Sequence, residues 1–258
     1  MATPLALRVV EAEARVYRRV WKGSVVTSFL NPVLYLLAMG VGLGSLVDRN
    51  LPDGVAGVGY LAILAPGLLA ATAMQTGAAE GAWKVMAGFK WRKTYQAVLA
   101  TPVTIEALVL GVLTWAGVRV LMVTMVFAAV VVVFGVTSPV GALAAVLPAM
   151  LVGLATAAPV AGFTIRVDHD AGLTNLFRFG IVPMFLFSGT FFPVSQLPEL
   201  LRPVAFAVPL FHGVEMARWA ALGLAPAVSP VASVAYLLAW TVGGTWWAIR
   251  GFRRRLWR

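Results

Sequence analysis

The sequence predicts an all-α membrane protein with six transmembrane helices, and three observations carry that prediction. Sixty per cent of the 258 residues are apolar and twelve per cent are charged, against about 45–50% and about 25% in a soluble domain. A water-soluble fold of this size could not cover so much apolar surface with a hydrated exterior. The apolar residues gather into runs near the length that crosses a hydrocarbon core, about 20 residues. The basic residues, which give a net charge of +10, cluster beside alternate ends of those runs.

The runs fall at about 26–47, 58–81, 106–134, 139–163, 174–192 and 229–249, within a single domain over 1–258. Lys and Arg concentrate on the cytoplasmic side of membrane proteins. Arg8, Arg15, Arg18, Arg19 and Lys22 precede the first run, Lys84, Lys90, Arg92 and Lys93 follow the second, and Arg166 follows the fourth. Arg250, Arg253, Arg254, Arg255 and Arg258 close the chain, while Arg49, Arg202 and Arg218 occupy the opposite connections. Both termini are therefore expected in the cytoplasm. This distribution reads as topology and not as a nucleic-acid surface, so no nucleic-acid partner is expected.

Residues 4–22 do not read as a cleavable signal peptide, because the basic stretch is long and the first run spans a full membrane. Arg8, Glu11, Arg15, Arg18 and Lys22 recur at steps of three and four, with Leu5, Val9, Val16 and Val20 on another face. That period predicts an amphipathic interfacial helix; a plain cytoplasmic tail is the alternative. Between the second and third runs, basic and aromatic residues alternate in Trp83, Lys84, Phe89, Lys90, Trp91, Arg92, Lys93 and Tyr95. A helix over about 84–101, stopped by Pro102 before Glu106, is expected there. It suits either a docking knob for a cytoplasmic partner or an interfacial anchor.

Arg119 lies near the middle of the third run. An ionisable group at that depth is costly unless paired or wet, which makes it a functional candidate. Glu80 and Glu106 fall near the expected cytoplasmic ends, so no acidic partner is expected at its depth. Arg119 either faces a cavity or snorkels. The fifth run carries Phe185, Phe187, Phe191 and Phe192, which either pack or line an apolar route. Residues 193–226 are apolar but cut by prolines at 193, 198, 203, 209 and 226. Two short helices, about 196–207 and 210–222, are expected, either re-entrant from outside or forming an external cap.

The motifs of catalysis are missing. The chain has no cysteine and two histidines, His169 and His212. It carries no GxxxxGK[ST], GxSxG or HExxH, so it is not expected to be an enzyme or to hold a nucleotide or metal itself. Asp168-His169-Asp170 reads as a solvated loop, since adjacent side chains diverge.

The run Phe185-Leu-Phe-Ser-Gly-Thr-Phe-Phe-Pro-Val-Ser-Gln-Leu-Pro198, followed ten residues later by Pro209-Leu-Phe-His-Gly-Val-Glu-Met-Ala-Arg218, resembles ABC-2 type transporter permeases. It is most similar to the branch that holds the nodulation and daunorubicin-resistance permeases. Ala65-Pro-Gly-Leu-Leu-Ala-Ala-Thr-Ala-Met74 and Leu30-Asn-Pro-Val-Leu34 resemble the same branch, and the similarity covers nearly the whole chain. The resemblance implies a permease of the bacterial inner membrane that pairs with a second copy or a paralogue. It also implies two ABC-type ATPase subunits, which would carry the ATP and Mg. Residues 4–22 would lie on the membrane, about 84–101 would be the coupling helix, and 193–222 would form an external gate with Pro209, His212 and Arg218. Export of a drug, lipid, glycolipid or oligosaccharide would follow by alternating access. A secondary transporter or channel is the alternative; it would need acidic groups at mid-depth.

Overall fold

Helices account for almost all of the described chain, and their order follows from where apolar runs, caps and glycines fall. A computed structural model describes residues 4–38, 42, 58–191, 194–196 and 198–256. The far end of the first expected span, Arg49, Phe192, Pro193 and Arg258 lie outside the described residues. Helix α1 covers Leu5–Leu36, and α2 covers Tyr60–Trp91. A short α3, Thr94–Leu99, follows. Next come α4, Ile105–Val133, and α5, Pro139–Thr164. Helix α6, Asp170–Leu176, passes through a π-helical turn at Phe177–Ile181 into α7, Val182–Phe187. A 3₁₀ turn at Val194–Gln196 leads to α8, Arg202–Phe206, then α9, Pro209–Leu222, and α10, Pro230–Leu256.

Among the described residues, α2, α4 and α5 are long and apolar enough to cross a membrane. The bounds of α4 and α5 match the expected third and fourth spans, because their starts carry strong signals. Thr104 caps α4 by accepting from the Ala107 amide at 3.2 Å, and Ser138 caps α5 by accepting from the Gly141 amide at 3.1 Å with Pro139 in the first turn. Both are ordinary N-cap bonds, with proline where its missing N–H does no harm.

The fifth run, expected over 174–192, is helical from Asp170 only to Phe187, and the helix expected over 196–207 is reduced to Arg202–Phe206. Three further expectations change. The interfacial helix over 4–22 is not a separate element: α1 is continuous from Leu5 to Leu36, and Val9 already packs against Gly111 of α4. Nothing from Leu5 to Val26 breaks the helical period, so the amphipathic stretch runs directly into the apolar one. The second span does not stop at 81, because α2 continues through π-helical turns at Glu80–Lys84 and Ala87–Trp91. The helix expected over 84–101 is instead the end of α2, a reversal and α3. Lys93 makes the reversal with φ of +52°, a left-handed conformation unusual outside glycine.

Helix α5 is the centre of the bundle. Gly77 of α2 faces Gly153, Gly81 faces Ala157, Gly244 of α10 faces Pro159, and Gly162 faces Ala248. These pairings step in the same direction, so α2, α5 and α10 run parallel. Helix α9 runs the other way over the first half of α5, with Gly213 against Val152 and the Ala221 carbonyl beside Gly141. It begins on Pro209 and ends on Gly223, whose φ of +70° suits a left-handed C-cap.

These approaches give opposite signs for two glycine substitutions. A Cβ on Gly77 would overlap the Gly153 carbonyl, which is backbone and cannot rotate away, whereas a Cβ on Gly243 meets nothing within 4 Å. Gly77→Ala should cost about 1–3 kcal/mol, and Gly243→Ala should gain up to about 1 kcal/mol from helix propensity. Thermal unfolding in detergent checks both, and equal midpoints for the two variants would contradict the packing.

Candidate functional site: a polar seam through the helix bundle

Arg119 is not isolated. Its Nε donates to Glu80 Oε1 at 3.2 Å, which corrects the expectation that no carboxylate lies at its depth. Glu80 reaches it because α2 runs on to Trp91 and leaves Glu80 well inside the helix. Lys84, one turn along, stands 3.7 Å from Glu80 and 2.9 Å from Glu13 of α1. Aromatic faces complete the arrangement: Lys84 Nζ sits 4.7 Å from the Trp115 ring centre, and the Arg119 guanidinium 4.5 Å from that of Tyr17. The four charges balance within the seam and join α1, α2 and α4. The i, i+4 spacing of Glu80 and Lys84 was the available sequence signal.

The connection after α2 packs onto the end of α10. Gly88 leaves room for the Tyr95 ring, where a Cβ would collide with it, and that ring lies 5.8 Å from Phe252. Tyr95 is buried, and burial pushes its phenol up, so it stays protonated. Phe89 is half-buried against the same cluster, and Gln96 donates to its carbonyl at 3.0 Å. Trp83 stacks on Phe177 at 5.9 Å. Trp91, Arg92 and Lys93 at the reversal are exposed.

Asp168 links three elements. Lys90 donates to its carbonyl at 2.8 Å and to Oδ1 at 3.3 Å, while Arg255 of α10 donates to Oδ1 at 2.8 Å. Arg255 and then Lys90 hold its carboxyl below the usual carboxylate range. The link is therefore present above that range and lost only as pH falls through the lowered value. Sequence reading treated 168–170 as solvated loop; Asp168 is exposed there, and is doubly paired as well. Among the described residues no group of His, Cys, Asp and Glu is arranged to hold a metal ion.

At the opposite end, Arg218 is 5% exposed and donates to three carbonyls. They are Ile63 at 3.1 Å, Gly189 at 2.8 Å and Thr190 at 3.0 Å. The chain after Phe187 leaves the helix at Ser188 and turns at Gly189, φ +80°, which frees the Gly189 and Thr190 carbonyls. Glu215 stands 3.8 Å from Arg218 and accepts from the Ala227 amide at 2.8 Å. His212 is buried between Ser233 Oγ at 3.1 Å and the Phe206 carbonyl at 3.0 Å. Pro209 is buried at the start of α9. Phe185 and Phe191 meet edge to face at 5.0 Å, while Phe187 is exposed. The described phenylalanines thus divide between packing and outward surface.

A bundle with three membrane-length apolar helices, an internal ion network and a basic-aromatic projection defines an integral membrane protein. Residues 6–222 match the ABC-2 type transporter family, and the chain belongs to that family of transmembrane transport subunits. It is 32% identical over 207 residues to Nodulation protein J of Rhizobium meliloti (strain 1021), covering 80% of this chain and 77% of that one. Nodulation protein J of Sinorhizobium fredii (strain NBRC 101917 / NGR234) is 32% identical over 209 residues, covering 78% and 77%. That of Rhizobium leguminosarum bv. viciae is 31% identical over 221 residues, covering 83% and 80%.

Removing one partner of a mostly buried ion pair costs more than removing both. Arg119→Leu should therefore lower stability by about 3–5 kcal/mol, and Glu80→Gln added to it should recover most of the loss. Detergent unfolding midpoints of the single and double variants check this. A single variant that melts like the wild type would show that the pair does not hold the seam.

Proposed function

We propose that this chain is the membrane-spanning subunit of an ATP-driven exporter of the bacterial inner membrane. It crosses six times with both termini inside. Two copies, or this chain and a paralogue, form the pathway, and two ABC-type ATPase subunits bind and hydrolyse ATP with Mg below it. The substrate is hydrophobic or amphipathic (a drug, lipid, glycolipid or oligosaccharide), and the pathway alternates between inward and outward access. The chain itself is not an enzyme.

The observation that carries this reading, beside family membership, is the reversal at Lys93. Exposed Trp91, Arg92 and Lys93 project from a hairpin that is itself fastened to α10 through Tyr95 and to the α5–α6 connection through Lys90 and Asp168. Force applied to that tip would reach α2, α5 and α10 together. ATP binding supplies the free energy by favouring one ATPase arrangement over another; the permease transmits it. Helices α8 and α9 act as the external gate and enter the outer half of the membrane. Support comes from the packing of α9 along the first half of α5 and from the Arg218 carbonyl bonds.

Ion-coupled transport is the weaker reading. The carboxylates inside the seam are engaged by Lys84 and Arg119, and the family to which the chain belongs is the ABC-2 type transporter family.

Affinity purification from native membranes in mild detergent should yield an ABC-type ATPase with vanadate-sensitive hydrolysis. Trp91→Ala/Arg92→Ala/Lys93→Ala, which touches exposed residues, should insert and melt normally yet lose at least about tenfold of the bound ATPase, as removal of an aromatic-arginine anchor does elsewhere. Undiminished ATPase recovery in that variant would remove the coupling assignment.

A further inference from the structure

A cavity of about 1010 Å³ lies between α1, the end of α2, α3 and the start of α4. It stands at the top of the range of about 300–1,000 Å³ for small-molecule sites. Its charged lining is Arg8, Lys84, Arg92 and Arg119 against Glu13 and Glu80, so the chamber keeps an excess of two cations. Arg8 and Arg92 lie toward its exposed mouth, while Lys84 and Arg119 are the partly buried members of the seam.

A second cavity of about 430 Å³ shares Tyr17 and Arg119 with the first. It follows the groove between α1 and α4 past Trp21, Val25, Met122 and Val126. From Tyr17 to Ser28 the groove follows α1 for about 16 Å at 1.5 Å per residue. Half of a bilayer's hydrocarbon core is about 15 Å. A cationic chamber thus opens onto an apolar groove one leaflet long.

A third observation falls on the same walls. Among the described residues, two buried donors have no hydrogen-bond partner, Tyr95 Oη and Trp115 Nε1, while Glu80 Oε2 has only the Lys84 ammonium at 3.7 Å. All three belong to residues that line the chamber, and Tyr95 and Trp115 are each 3% exposed. Buried polar groups are nearly always satisfied, and a cluster of exceptions calls for a partner. The phenol and the indole N–H are donors, which suits an acceptor-rich group.

We infer that the chamber and groove together bind one anionic phospholipid of the cytoplasmic leaflet, its phosphate held among Arg8, Lys84, Arg92 and Arg119 and one acyl chain laid along the α1–α4 groove. The lipid sits within one chain and stands between α1 and the hairpin, where it would brace the Glu13–Lys84 contact. It rests on the proposed orientation, which puts the chamber on the cytoplasmic side, but not on export itself, since neither ATP nor a second copy contributes to it.

Native mass spectrometry of the full-length chain in mild detergent tests this with phosphatidylglycerol, phosphatidylcholine of the same acyl chains, and glycerol 1-phosphate. One phosphatidylglycerol per chain should survive activation that strips phosphatidylcholine, and glycerol 1-phosphate should bind at least about tenfold more weakly, since it lacks the chain that the groove would bury. Arg8→Gln/Arg92→Gln, at exposed positions, should reduce retention at least about fivefold through lost charge contacts, and Val25→Trp should do so by filling the groove. As a readout free of charge changes, phosphatidylglycerol with brominated chains should quench the wild type more than Trp21→Phe. Equal retention of the two lipids, unchanged retention in either variant, glycerol 1-phosphate binding as tight as the lipid, or equal quenching of the wild type and Trp21→Phe would each overturn the site.

Discussion

The close approach of α2 and α5 at Gly77 and Gly153 is the constraint on which the rest of the bundle depends. In a membrane, lipid is as apolar as leucine, so helices gain little by burying large side chains against one another. Small residues that let backbones meet supply the packing instead. Helix α5 uses this on several sides, with Gly153 and Ala157 toward α2, Val152 toward Gly213, and Pro159 and Gly162 toward α10. Because its neighbours touch its backbone, their register along α5 is fixed to within a fraction of a turn. That register places Glu80 level with Arg119 and brings Lys90 to Asp168.

Fixing α5 also makes the partial helices possible. Backbone that leaves the helical ladder at membrane depth must find internal partners. Ser188 to Thr190 leave it, and Arg218 collects the Gly189 and Thr190 carbonyls together with that of Ile63. Gly67 makes room, since a Cβ there would press on the Thr190 carbonyl at 2.9 Å. One guanidinium, with several donors in a rigid fork, thus closes the gap between α2, the end of α7 and α9.

How much of this was legible depended on whether the signal was local. Helices α4 and α5 were readable to within a residue or so because Thr104 and Ser138 are capping residues and the apolar runs are unbroken. Helix α9 was readable from Pro209, whereas the helix expected over 196–207 is only Arg202–Phe206. The end of α2 was not: Glu80 and Lys84 look like a membrane boundary until Arg119 and Glu13 neutralise them, and those partners come from other helices. The break at Lys93 was hidden for the same reason, since no glycine or proline marks it and the Tyr95–Gly88–Phe252 packing enforces it. The resemblance singled out Arg218 and His212 as expected parts of an external gate. It could not show that Arg218 binds carbonyls or that His212 bridges Phe206 and Ser233.

The two ends of the bundle solve the same electrostatic problem with different materials, and the difference bears on motion. Toward the start of α2 the charge of Arg218 is buried among neutral carbonyls, where breaking any one contact leaves a group without water to replace it. At the other end the Lys90–Asp168–Arg255 and Glu106–Arg253 contacts are largely solvent-exposed, and exposed pairs contribute little because water and salt compete for them. Breaking those ion pairs therefore costs little, although the buried Tyr95–Phe252 packing still holds the hairpin to α10, while rearranging α9 against α2 costs much. Between them lies the Glu13–Lys84–Glu80–Arg119 seam, mostly buried but made of charges that can exchange partners. There Glu13 and Lys84 join α1 to the end of α2, in addition to the packing of Val9 on Gly111 and of Tyr17 on Trp115 that holds α1 to α4.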